Sequence, residues 1–151
     1  MGAGKRLGGM STMQGTAIFW PMIGHVVLVI CLYGLLAVRR RQAVGEGSVK
    51  VSQFRENRDE PPQSLFVRNS LANQTELPPL FHIVCIALFV TGGVGMVTLL
   101  LAWLFVISRY VHAFIHVTTN RIRQRQPAFA AGFVILILLW GGLALQLLRV
   151  A

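Results

Sequence analysis

Apolar residues dominate four stretches of the chain, and the third and second of them run together. Leu77 to Ser108 holds no Asp, Glu, Lys or Arg. One membrane-crossing helix needs about 20 apolar residues, so this run is too long for one crossing and too short for two. Its break is Thr91-Gly92-Gly93, where glycine takes the positive φ of a tight turn. Cut there, Leu77 to Thr91 gives only roughly 22 Å of helix against roughly 30 Å of hydrocarbon. The second helix must therefore begin earlier, in polar sequence, and the third must continue beyond Ser108. The pattern predicts spans over residues 16–38, 64–91, 94–123 and 128–148 of a unit covering 16–151. Pro78-Pro79 is expected to kink the second span. Gln124 to Pro127 is read as the turn before the fourth, and residues 1–15, rich in glycine, as a disordered tail. The fold class is all-α: an integral membrane four-helix bundle.

Composition agrees. The 151 residues are 54% hydrophobic and 13% charged, too apolar for a soluble domain of this size. The first span is too long for a signal peptide core, and no Ala-x-Ala site precedes Arg39. Cys31 and Cys85 lie at different expected depths in apolar spans, which predicts packing roles and no disulfide. The net charge of +9 comes without an aromatic-basic groove pattern, so it reads as membrane anchoring and not as nucleic-acid binding. Arg39, Arg40, Arg41, Lys50, Arg55 and Arg58 follow the first span; Arg121, Arg123 and Arg125 follow the third. The turn between the second and third spans has no basic residue. Both basic loops are therefore expected on the cytoplasmic side, with both termini outside.

The polar positions on the middle helices are ordered. Counted from the glycine turn, Glu76 and Arg109 are each 16 residues out, Asn73 and His112 each 19, Asn69 and His116 each 23. A hairpin would bring these pairs to matched heights at its cytoplasmic end, with Glu76 and Arg109 joined in an ion pair or through a shared polar ligand. Arg109, His112, His116, Asn120 and Arg123 step by 3, 4, 4 and 3, one helical stripe; Asn69, Asn73 and Glu76 form another. Such a pocket suits a small polar anion beside an apolar compartment: arginine pairs with carboxylates, and a nearby cation favours a bound thiolate. A structural polar clamp at the bundle mouth accounts for the same residues. A metal site is a further alternative, since His112 and His116 are four apart on a helix and Glu76 would be a third ligand. His25 and His82 lie mid-span, where each is satisfied either by a backbone carbonyl or by a bond between the first two helices.

These residues resemble the MAPEG family, the membrane-associated proteins in eicosanoid and glutathione metabolism. The family's pattern of Asn, then Glu three residues on, then Pro and an apolar run is Asn73, Glu76, Pro79 and Leu80-Phe81. Its third-helix pattern of Arg, a ring three residues on, Tyr four later and further Arg is Arg109, His112, His116, then Arg121, Arg123 and Arg125. The resemblance covers roughly residues 60–148 and is nearest a bacterial branch. It implies a homotrimer in the bacterial inner membrane, with glutathione as co-substrate between helices near the cytoplasmic side and a small hydrophobic electrophile as second substrate. Asn69, Asn73, Glu76, Arg109, His112 and His116 would form the glutathione site. An arginine after the third helix would hold the thiolate, with Arg123 the first choice over Arg121 and Arg125. The pattern departs at Ala72 and Asn69, where glutathione-binding members carry arginine, and at His116 in place of Tyr. A non-catalytic lipid- or partner-binding protein of the same fold is the alternative function.

Overall fold

A computed structural model describes residues 15–56 and 60–150, and the expected tail falls almost wholly outside them. All regular structure among the described residues is helical. In chain order the α-helices are α1 (Phe19–Gly45), α2 (Val51–Glu56), α3 (Pro62–Ala72), α4 (Pro78–Val90), α5 (Met96–Val117) and α6 (Ile122–Val150). A short 3₁₀ turn, Asn73–Thr75, lies between α3 and α4.

Three helices, α1, α5 and α6, are long and apolar enough to cross a membrane. Only 28, 39 and 22% of their most apolar windows are buried inside the chain, so most of each apolar surface faces outward. In a bilayer that surface meets lipid or another copy of the protein. The α5·α6 pair makes the most extensive contact, and α1 packs on α3, α4 and α5. Gly132 allows the close approach of α5 and α6: a Cβ there would lie 2.7 Å from Ser108 Oγ. One core cluster gathers Phe81, Cys85, Leu88, Phe105 and Leu139, with the Phe81 and Phe105 rings stacked at 4.4 Å. A second joins α1, α3 and α5 through Leu28, Leu32, Val67, Leu71 and Ala113.

The glycine turn forms where the sequence places it. Gly92 has φ +67°, and the Gly93 N–H closes the end of α4 by donating to Leu88 O at 2.8 Å. Gly93 has no room for a Cβ, which would meet Gln146 Cγ at 2.9 Å. Cys31 and Cys85 are both free thiols; Cys85 packs in the core and Cys31 is exposed.

The second span differs from the expectation. It is not one helix kinked at its prolines but two helices, with the chain non-helical at Glu76 (φ −88°, ψ −83°). Pro78 and Pro79 occupy the first turn of α4, where a missing N–H costs nothing, so they restart a helix and do not bend one. The third helix is also shorter than read: α5 ends at Val117, and Asn120 turns the chain at φ +47°. The turn expected at Gln124–Pro127 therefore lies at residues 118–121. Gln124 to Pro127 belong to α6, and Pro127 lies inside that helix, where its missing N–H removes the bond to Arg123 O.

Candidate functional site

The break between α3 and α4 frees backbone groups, and side chains meet them. Arg109, fully buried, donates from Nη2 to Asn73 O at 3.1 Å, and its guanidinium carbon lies 5.6 Å from the centre of the Phe129 ring. Asn73 Nδ2 donates to Asn69 O at 3.0 Å and lies 3.4 Å from His116 Nδ1. Asn73 thus touches residues on both sides of His112, the residue predicted at its height. The two polar stripes do face each other.

His112 and His116 are both buried and both turn to α6. His112 Nδ1 is 3.3 Å from Arg125 O; a carbonyl only accepts, so Nδ1 carries the proton and Nε2 is a lone pair. Arg125 Nη1 lies 2.9 Å from His116 Nε2 and donates to Asn120 Oδ1 at 2.8 Å. A guanidinium only donates, so His116 Nε2 is the acceptor and its proton sits on Nδ1. Turning the Asn73 amide over lets its oxygen accept from that Nδ1–H, at the cost of the bond to Asn69 O.

Asn73, Glu76, His112, Arg125, Gln126 and Phe129 line a cavity of about 230 Å³. His112 Nε2, on the cavity lining, is buried with no hydrogen-bond partner, and so are Nε and Nη1 of Arg109, which does not line the cavity but contacts Asn73 and Phe129, two residues that do. Two donors and one acceptor left bare in an apolar setting cost free energy that a bound polar ligand recovers. Glu76 adds a carboxylate for a ligand's ammonium or amide, and Arg125 a cation for its anion.

The sequence-predicted residues divide. Asn73, Glu76, Arg109, His112 and His116 come together. The direct Glu76–Arg109 ion pair is absent: the ion pairs among the described residues are Arg40–Glu60 and Arg68–Glu60. The reason is local, since Glu76 lies in the non-helical break and its side chain is exposed, off the stripe that carries Arg109 inward. Asn69 is exposed and enters only through its carbonyl. Arg123 is exposed on a separate groove with Thr119, Asn120, Arg121, Ile122 and Gln124. Because α6 begins at Ile122, the α5 stripe does not continue to Arg123, and Arg125 is the arginine at the cavity. Among the described residues no group of three or more His, Cys, Asp or Glu side chains is placed to share a metal ion, and His112, His116 and Glu76 do not form one.

Two polar networks flank the site. His25 and His82 do bond across helices. Gln74 Nε2 donates to Ser70 O, which leaves Gln74 Oε1 to accept from His25 Nε2 at 3.2 Å. His25 Nδ1 then accepts from His82 Nε2 at 3.1 Å. Outside the spans, Glu60 takes a hydrogen bond from Arg40 at 2.8 Å and faces Arg68 Nη1 at 3.0 Å as an ion pair without hydrogen-bond alignment. Burial pushes the Glu60 carboxyl up, but the Arg40 hydrogen bond and the charges of Arg40 and Arg68 outweigh it and hold the group below its ordinary value. Glu60 was not legible as a partner. Its one signal is an acid beside Pro61-Pro62 in a loop rich in arginine. Arg39 ties the same end together, donating to Gln63 O and Val117 O at 2.7 and 3.0 Å.

A family model described as MAPEG family matches residues 17–145. No curated protein and no solved structure matches the chain.

Proposed function

Because the chain belongs to the MAPEG family, we propose that it binds glutathione at the cavity between the α3–α4 break, α5 and α6, and delivers it as a thiolate to a hydrophobic electrophile dissolved in the bilayer. The observation that carries this reading is Arg125. Its Nη1 is held by His116 and Asn120, while Nε–H and both Nη2–H have no partner among the described residues, and the residue lines the cavity. A guanidinium so placed favours the charged sulfur over the thiol. The assignment made to Arg123 from the resemblance passes to Arg125.

The other groups fit glutathione's remaining chemistry. Glu76 suits its ammonium; Arg109 Nε and Nη1 suit a carboxylate or carbonyl; His112 Nε2 suits an amide N–H. On thiol ionisation the proton leaves to water through the open cavity. The sulfur then forms a C–S bond, and the electrophile's displaced electron pair departs on its leaving group or is protonated from water. With a lipid hydroperoxide the same thiolate is a reductant: two thiols give one disulfide while the hydroperoxide becomes an alcohol and water.

A cavity of about 230 Å³ in one chain is smaller than sites of roughly 300–1,000 Å³ usual for small ligands. A tripeptide overruns it and needs a second wall. The outward apolar faces and the exposed Glu76 support the homotrimer implied by the resemblance, in which a neighbouring copy supplies that wall. We infer an inner membrane setting with the basic loops, and so the cavity mouth, on the cytoplasmic side.

One observation favours a binding role without turnover. Arg68, the arginine nearest the positions that carry one in glutathione-binding members, faces Glu60. The test is calorimetric titration of the detergent-purified protein with glutathione, followed by conjugation to a chlorodinitrobenzene. Binding with conjugation supports the enzyme; binding without conjugation supports the binder; no glutathione binding overturns the proposal.

A further inference from the structure

Arg125 is held more tightly than thiolate recognition requires, and from three directions. Its carbonyl accepts from His112 Nδ1 at 3.3 Å. Its Nη1 carries two N–H groups, and both are used: one toward His116 Nε2 at 2.9 Å, one toward Asn120 Oδ1 at 2.8 Å. The acceptor that Asn120 provides is built into a turn. Its backbone is left-handed at φ +47°, a conformation in which asparagine is the least strained residue after glycine. Its N–H closes α5 by donating to Ile115 O at 2.8 Å. One residue therefore ends the helix and aims its amide oxygen back at the next helix's arginine.

The chemistry explains why His116 serves here. A phenol at this position would face the guanidinium with an oxygen that is also a donor. A neutral imidazole protonated on Nδ1 offers a lone pair alone. With Nη1 saturated by two neutral acceptors, the guanidinium keeps its full charge and cannot rotate that nitrogen toward the cavity. Nε and Nη2 are the groups left to meet a ligand. Two neutral partners also leave the charge uncompensated, where a carboxylate partner would cancel much of it.

We propose that Asn120 and His116 are positioning residues for Arg125: a pair of neutral acceptors that fixes its guanidinium at the cavity with its charge available to the bound thiol. This rests on the thiolate-activating reading of the site, and neither residue need touch the ligand to do it.

The experiment uses the full chain in detergent and two readouts. The first needs no ligand: the rate at which an arginine-selective dicarbonyl reagent modifies Arg125, with the exposed Arg123 as internal standard. The variants are Asn120→Gly, which keeps the left-handed turn and removes the acceptor, Asn120→Asp, which restores an acceptor oxygen, and His116→Phe. Loss of a hydrogen bond to a charged group is expected to speed modification of Arg125 about tenfold in Asn120→Gly and His116→Phe. Asn120→Asp should keep the protection. The second readout is the acidic limb of the pH profile for glutathione conjugation. Asn120→Gly should move it up by about one pH unit, as a less well-placed cation lets the thiol hold its proton. Asn120→Asp should keep the limb above its wild-type position although the clamp is restored, since its carboxylate offsets the charge that the thiolate needs.

Equal modification rates for Arg125 in wild type and Asn120→Gly overturn the proposal, as does an unmoved pH limb. A wild type that conjugates no thiol ends the functional reading instead, and the modification rates still decide the clamp.

Discussion

Glu60→Gln isolates an ionic clamp outside the membrane spans. The Glu60 side chain is 2% exposed, and its partners Arg40 and Arg68 are 29% and 34% exposed. Glutamine keeps an oxygen for Arg40 Nε and removes the charge that both guanidinium groups share. An exposed ion pair contributes about 0.2–1 kcal/mol, and breaking a fully buried one costs about 3–5 kcal/mol. This clamp, with one buried end and two partly solvated ends, lies between them, at about 1–2 kcal/mol. For a chain of this length that is a fall in Tm of about 2–8 °C. The effect is pH-dependent, and its sign follows from the direction of the shift. The folded carboxyl lies below its ordinary value of 4.5. The unfolded chain therefore takes up the proton first, and stability rises with pH through that window. The contribution is fully present above 4.5 and is lost as pH falls through the folded value. Thermal unfolding by circular dichroism in detergent, repeated from about pH 3 to pH 7, reads both effects. Wild type should lose stability below about pH 4.5 more steeply than Glu60→Gln, and the two curves should converge in acid. An Arg40→Gln, Glu60→Gln double cycle should show coupling. Parallel acid limbs in wild type and variant would refute the clamp.

Further outcomes follow from the same contacts. His25→Leu leaves Gln74 Oε1 without its partner and should destabilise the bundle by about 1–3 kcal/mol, the cost of an orphaned buried polar group, in a denaturing-detergent titration. A loss near zero would mean that solvent or lipid already satisfies the amide. Gly132→Ala drives a methyl to 2.7 Å from Ser108 Oγ and should cost about 1–3 kcal/mol, with Ser108→Ala restoring most of it; an additive pair of losses would contradict close α5–α6 packing. Glu76→Gln should weaken glutathione binding with little change in Tm, because the side chain is exposed, whereas Arg109→Ala should lower Tm by removing a buried side chain and orphaning Asn73 O. Equal Tm losses would favour a direct Glu76–Arg109 pair.

What was legible in the chain is what periodicity and glycine chemistry control. Thr91-Gly92-Gly93 announced the hairpin turn, and the 3–4 spacing of Arg109, His112 and His116 announced a buried face. The break at Asn73–Leu77 was harder. Asn73 and Thr75 are weak helix formers, but tertiary partners (Arg109 for the Asn73 carbonyl, His25 for the Gln74 amide) are what make leaving the helix tolerable. The end of α5 carried a readable signal in Thr118-Thr119-Asn120, two β-branched residues and then an asparagine fit for a left-handed turn. With the helix ending before Arg123, the polar stripe of α5 stops short of it. Once α6 starts at Ile122 its own phase decides which arginine faces inward, and that is Arg125. Glu60 left no periodic trace because it works from a loop.

On the proposed reading, the cavity arginine turns a bound thiol into its nucleophilic form. The direct measurement is the ultraviolet difference absorbance of thiolate when glutathione is added to the detergent-purified protein at neutral pH, in wild type and in Arg125→Ala. Wild type should give a saturable thiolate signal, lost in Arg125→Ala while calorimetry still detects glutathione binding. A signal undiminished in Arg125→Ala, or glutathione bound to wild type wholly as the thiol, would contradict it.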